Sequence, residues 1–382
     1  MTNAFFVNQK LIITMKIILR FTAFCICLTL LNQKLSAQGC VAVRHMSCAA
    51  GSGANATSMM RPGQWQVSAG FRSLYSHRHF VGTEYQEARL ANDTEVKNYS
   101  EGLDIGITYS ITDRLSVSLN IPLASNTRDS KYEHYGNGTT AAPTPYFSTK
   151  SSGVGDMRLG LNYWLLDPMK HNKGNLSLGL GVKAPTGNAN VQGDFHKLDK
   201  EGKEYLQTKA VDQSIQLGDG GWGANIEIQG YQKLFSGASV YFNGFYMFNP
   251  MVTNNTYNNI LKDNVQNPIT VKHSIADQYA ARVGVGYALL PKSGISVSMG
   301  GRIEGVPAID VFGASDGFRR PGYIISIEPG IAYMNNHNTF ALNVPIATTR
   351  NRVRSYSDLK YGGQGDAAFA DYFISATLSH RF

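Results

Sequence analysis

Twelve charged residues fall on the polar side of alternating stretches: Arg72, Asp104, Asp156, Arg158, Lys183, Glu227, Lys233, Arg282, Arg302, Glu304, Glu328 and Arg381. Seven are basic and five acidic. Charges gathered on one face can do two kinds of work. Paired, they fill an interior with ion pairs, because an unpaired buried charge is costly. Wet, they line a conduction path, and a basic excess favours anions or polar solutes. Counting charges leaves both readings open. A second group sits in DVFGASDGFRRPG, residues 310–322, where Asp316, Phe318, Arg319 and Arg320 lie close together. Folded inward, this segment would form a constriction. Folded outward, it is an ordered loop with turn-forming Gly and Pro.

Other chemistry is weaker. Cys40, His45, Met46, Cys48, Met59 and Met60 are the soft ligands that Cu(I) prefers. Their spacing matches no established metal motif, so a small disulfide loop between Cys40 and Cys48 is expected instead, with no metal or cofactor. Hydrolysis of lipid would need a Ser–His pair. His273 lies in a loop and His380 in the last alternating stretch, near its end. No Gly-x-Ser-x-Gly elbow and no Walker pattern occurs, and GVGYA at 284–288 is mid-strand with no helix after it. These observations point away from an enzyme.

The elements that carry these residues announce a membrane. Charged residues are only 16% of the chain, against roughly 25% in an ordinary soluble domain. Gly (39 residues) and the aromatics Tyr and Phe (20 and 18) are abundant. At the front, Lys16 and Arg20 precede the apolar stretch FTAFCICLTLL and then Leu35-Ser36-Ala37. Eleven apolar residues are too few for a spanning helix, which needs about 20, so 1–37 reads as a signal peptide cleaved after Ala37. Met15 is an equally good start for it. Residues 1–37 hold Lys10, Lys16, Arg20 and Lys34 and no acid, so their removal takes the formal charge from +8 to +4. That mild balance, without a basic cluster, excludes a nucleic-acid partner.

No later stretch is apolar enough for a spanning helix, so a membrane could be crossed only by a closed barrel. Twelve alternating runs lie near 64–74, 102–111, 114–124, 154–166, 175–185, 221–234, 238–248, 278–290, 294–304, 322–334, 338–348 and 371–382. At 295–304 one face reads Ile295, Val297, Met299, Gly301, Ile303, and the other Ser296, Ser298, Gly300, Arg302, Glu304. Each run can cross a bilayer at a tilt, which takes about 9–11 residues. Connections alternate long and short throughout. This predicts an all-β, single 12-stranded antiparallel transmembrane barrel over 64–382, with short periplasmic turns and long extracellular loops. Residues 38–63 form a short periplasmic or lumenal segment before it. Aromatics at run ends, among them Trp65, Tyr109, Trp164, Tyr287 and Tyr333, predict two interfacial girdles. Phe373 is an exception, an aromatic on the polar face.

Three stretches carry a family resemblance: GVGDMRLGLNYWLL at 153–166, LGVKAPTGN at 180–188, and LGDGGWGANIEIQGYQKL at 217–234. Together they resemble the outer-membrane transporter family of the MetA-pathway of phenol degradation. The resemblance implies a fatty-acid-channel-like or porin-like barrel that passes small organic, including aromatic, compounds. The 310–322 segment lies outside those motifs. The expected setting is the outer membrane of a Gram-negative cell, with the lipid bilayer and lipopolysaccharide as partners. The terminal Phe382, after alternate apolar residues at 374, 376 and 378, is the expected signal to the barrel-assembly machinery. Passive passage of a small solute is the leading expectation. A non-conducting structural or adhesion barrel is the alternative, and a barrel hydrolase a remote one.

Overall fold

The computed structural model describes residues 60–257 and 271–382. The signal segment, the Ala37 site and the Cys40–Cys48 pair lie outside the described residues. A strand buries one face and needs its partner's backbone groups. In lipid that requirement admits no free edge. Twelve antiparallel strands meet it by closing on themselves. They are β1 (Trp65–Val81), β2 (Lys97–Ser110), β3 (Leu115–Ser130), β4 (Arg158–Trp164), β5 (Gly174–Lys183), β6 (Gly223–Phe235), β7 (Ala238–Phe248), β8 (Gln278–Leu290), β9 (Ile295–Val306), β10 (Gly322–Met334), β11 (Asn338–Asn343) and β12 (Ile374–Arg381). Each pairs with its sequence neighbour. β1 then closes the ring against β12, from Gln66 opposite Arg381 to Ser73 opposite Ile374.

The alternation decides which face meets lipid. Leu159, Leu161, Leu178, Leu180, Val182, Ile226, Val283, Met299 and Ile327 are all exposed on the outside. The intervening Arg158, Ser177, Lys183, Asn225, Arg282, Ser298 and Glu328 are buried inside. A one-residue register slip would exchange these sets, so the register is strongly fixed. At the short-turn end Trp65 packs on Tyr109, with ring centroids 4.6 Å apart. Arg114 lies 4.6 Å over Tyr163 there.

Several runs differ from the sequence expectation. β1, β2 and β3 extend well past the apolar band, so much of the expected loops 75–101 and 125–153 is strand. Above the lipid both faces are polar or packed, and the alternation that marks a strand disappears. The expected run 154–166 begins only at Arg158. The preceding Phe147–Val154 is a separate strand on β3, and Gly155 to Met157 break the line. The run 338–348 is cut at Val344-Pro345, since Pro cannot donate to the ladder. Ile346–Asn351 then forms its ladder with β10. Likewise Ala367–Ala370 pairs with β1 before β12 begins.

Between Ile346–Asn351 and Ala367–Ala370 the wall has no ladder, only the bridge Ile346 to Tyr372 and single bonds such as Ala347 N–H to Asp371 O at 2.8 Å. A buried cluster of Phe80, Ile324, Ala367 and Phe369 fills the seam. Phe80 meets Phe369 edge-on at 5.6 Å. Phe373 is buried against Leu74, with the Arg302 guanidinium 4.9 Å over its ring. Its exceptional parity therefore places a ring inside the barrel.

Candidate functional site

Among the described residues the inward faces border an inner and an outer cavity along the barrel. The inner one, toward the short turns, has a volume near 260 Å³. The outer one has a volume near 140 Å³. Arg72 and Asp104 border both.

Glycine makes this room. Tyr241 lies flat along the wall over Gly284 and Gly300. A Cβ on those residues would stand 2.5 and 2.9 Å from its hydroxyl. The inner cavity is walled by hydroxyls and amides, including Ser68, Thr108, Ser118, Asn120, Asn162 and Gln229, with the rings of Trp164, Tyr231 and Tyr241. Trp164 packs edge-on to Tyr231 at 6.1 Å, so it serves the inner cavity rather than the outer aromatic belt. Arg158 donates to Asn120 Oδ1 at 3.2 Å, and Glu227 accepts from Asn225 Nδ2 at 2.8 Å. Met60 also borders this cavity.

Two inward loops roof the outer cavity. Residues Gln213 to Asp219 come from the loop before β6, and Arg319 and Arg320 from the segment before β10. Arg320 forks onto both oxygens of Asp212, at 2.8 and 2.7 Å. Asp212 also lies 3.6 Å from Arg128, which itself donates to Glu133 at 2.8 Å and Asn98 at 2.8 Å. Arg319 forks onto Asp310 at 2.7 and 2.5 Å. Planar guanidinium–carboxylate forks fix geometry as well as energy. Burial alone would push the Asp212 carboxyl up. The Arg128 and Arg320 guanidiniums outweigh burial and hold it well below the usual carboxylate range. Asp156 anchors the base of the same roof, accepting from Gly187 N at 2.9 Å and Asp219 N at 3.0 Å. Lys183 is ion-paired with Asp219.

The twelve expected lumen residues therefore separate into groups. Arg72, Asp104, Asp156, Arg158 and Glu227 border a cavity. Arg282, Arg302, Glu304 and Glu328 do not. They form a buried chain within the wall, Arg282 to Glu328 at 3.1 Å, Glu328 to Arg302 at 3.4 Å and Arg302 to Glu304 at 2.7 Å. Lys183 ties down the roof. Lys233 is exposed at the turn end of β6, and Arg381 lies at the rim of β12; neither borders a cavity. Correct parity placed them inward, but their height in the barrel takes them out of the lumen. Of the expected constriction, Arg319 and Arg320 border the outer cavity. Phe318 instead pairs its backbone with His273, and Asp316 turns to Lys360 at 3.6 Å. Sequence reading missed Asp212 and Arg128, whose loop and strand-extension positions carry no periodic signal. His380 sits at the periplasmic rim, its Nδ1 2.8 Å from Asn338 Oδ1 and its ring packed on Phe382. Among the described residues no three His, Cys, Asp or Glu are grouped to hold a metal.

Closed strands, a lipid-facing apolar belt and a polar lumen define a transmembrane β-barrel of the outer-membrane type. No family model and no curated protein sequence matches this chain. Among solved structures, it is similar to an outer-membrane channel from Pseudomonas putida F1, with TM-score 0.50, 13% identity, and 85% of this chain and 97% of that one covered. At that identity the likeness is one of fold. A monoaromatic hydrocarbon channel (TM-score 0.44, 10% identity, 86% and 91% covered) and a toluene transporter from Pseudomonas putida (TM-score 0.44, 10% identity, 90% and 96% covered) are further neighbours.

Proposed function

We propose that this barrel is a passive outer-membrane channel for small organic solutes. The observation that carries the reading is the pair of cavities that share Arg72 and Asp104. A barrel built only as a scaffold has no need of chambers arranged along its axis. In this reading the solute enters past the Arg319–Arg320 roof, crosses the Arg72–Asp104 junction and leaves beside Trp164. Arg158 and Glu227 flank its path. The resemblance to the phenol-degradation transporter family and the similarity to solved outer-membrane channels support the same class. The signal peptide cleaved after Ala37, contact with lipopolysaccharide and delivery through Phe382 belong to this proposal as the route to the membrane.

Refolded protein in liposomes tests it by swelling rate and single-channel conductance. Solute-dependent swelling is expected. A barrel that passes no solute would sink the proposal and favour a second reading, a non-conducting structural or adhesion barrel. The buried Arg282–Glu328–Arg302–Glu304 chain and the tied-down roof are the observations on that side.

A further inference from the structure

The segment between β9 and β10 straddles the barrel wall. We propose that Ile309, Val311 and Phe312 form a ledge seated among the acyl chains of the outer leaflet, and that this ledge holds the roof in place through Asp310. The proposal does not depend on which solute, if any, the barrel passes.

Height comes first. β7 has 11 residues, and about 9–11 cross the hydrocarbon core, so its last residue, Phe248, lies at the outer edge of that core. Phe248 faces lipid, because it stands opposite Ala224, which alternates along β6 with the exposed Ile226 and Ile228. The Phe312 ring packs on Phe248 with centroids 5.5 Å apart. Ile309, Val311 and Phe312 are 57%, 56% and 59% exposed, while Asp310 between them is buried. Water penalises such a row of large apolar side chains, and acyl chains do not. The row continues the lipid-facing belt, beside which Trp222 is also exposed at the outer end of β6. That continuity selects lipid as the occupant, in the manner of aromatic residues at a membrane boundary. Hydrogen bonds fix the ledge to the wall. Val311 N–H donates to Asp277 Oδ2 at 2.9 Å, and Asp277 N–H donates to Asp310 Oδ1 at 2.9 Å. Asp310 then takes the Arg319 fork at 2.7 and 2.5 Å, and the next residue, Arg320, grips Asp212 in the roof. The chain thus runs from the lipid side at Phe312 to the lumen side at Arg320, and the buried Asp310–Arg319 pair links the two.

The test uses the full chain refolded in phosphatidylcholine liposomes, with the photo-reactive residue p-benzoylphenylalanine in place of Phe312. Irradiation should add the mass of one phospholipid to the peptide that contains position 312. No lipid adduct, or cross-linking only to a second copy of the chain, would overturn the proposal. In the same liposomes, Val311→Ser with Phe312→Ser should raise proteolysis within 211–222 several-fold, with no new cuts in the strands. Unchanged cutting there would overturn the link between ledge and roof. Should the variants fail to fold, hydroxyl-radical footprinting of the wild-type chain decides. Relative to the urea-unfolded chain, Phe312 should be protected several-fold, whereas Tyr205, exposed on the loop strand Glu204–Ala210, should not be. Equal oxidation at the two positions would overturn the lipid seat.

Discussion

Asp212→Ala should unlatch the roof of the outer cavity. The carboxylate is buried and holds two guanidiniums: the partly buried Arg320 fork at 2.8 and 2.7 Å, and the buried Arg128 at 3.6 Å. It also caps Ser214 N at 2.9 Å. Removing one member of a buried ion pair costs about 3–5 kcal/mol, because the remaining charge loses its partner without regaining water. If that cost falls on roof closure, the open fraction rises by about two to four powers of ten. Limited proteolysis should then cut within 211–222, and single-channel traces should show longer open times. Asp212→Asn with Arg320→Gln, removing both charges, should recover much of the loss in a double-mutant cycle.

The same carboxylate sets a pH rule. Its folded-state pKa is depressed, so its contribution is complete above the unfolded value near 4, and is lost as pH falls through the lower folded value. The latch should therefore be indifferent to pH across the neutral range and release only in strong acid. Unchanged proteolysis and unchanged gating in Asp212→Ala would refute the claim that this pair holds the roof.

Two further outcomes follow from packing. Phe373→Ala empties a buried site against Leu74 and removes the ring beneath Arg302, and should cost about 3–5 kcal/mol in urea unfolding from lipid. A loss below about 1 kcal/mol would show that the site is not packed as described. Gly284→Val should push Tyr241 off the wall into the inner cavity, since even a Cβ would stand 2.5 Å from its hydroxyl. Swelling rates should drop several-fold, and the unfolding midpoint should fall as well, because the same Cβ would stand 2.7 Å from the Met299 carbonyl oxygen; an unaltered rate would show that Tyr241 does not border the path.

Much of this barrel was legible in the residues. The parity of 295–304 assigns Met299 to lipid and Arg302 to the interior, because a strand in a membrane has one solvent on each face. The regular exchange of short and long connections fixed which end faced the periplasm. What parity cannot report is height. Arg158 and Lys233 share the same alternation, yet one borders the inner cavity and the other stands exposed beside a turn.

Nor can parity report pairing across loops. Asp212 and Arg320 are 108 residues apart, and Asp156 receives its bonds from Gly187 and Asp219. Those contacts form only once the barrel brings separate loops over one opening. The sequence by itself therefore determined the solvent of each face, the strand count and the direction of the chain, all of them local or periodic properties. Only the tertiary structure decided which charges fill the wall, which latch the roof and which are left beside the cavities, because each depends on distances between residues far apart in the chain.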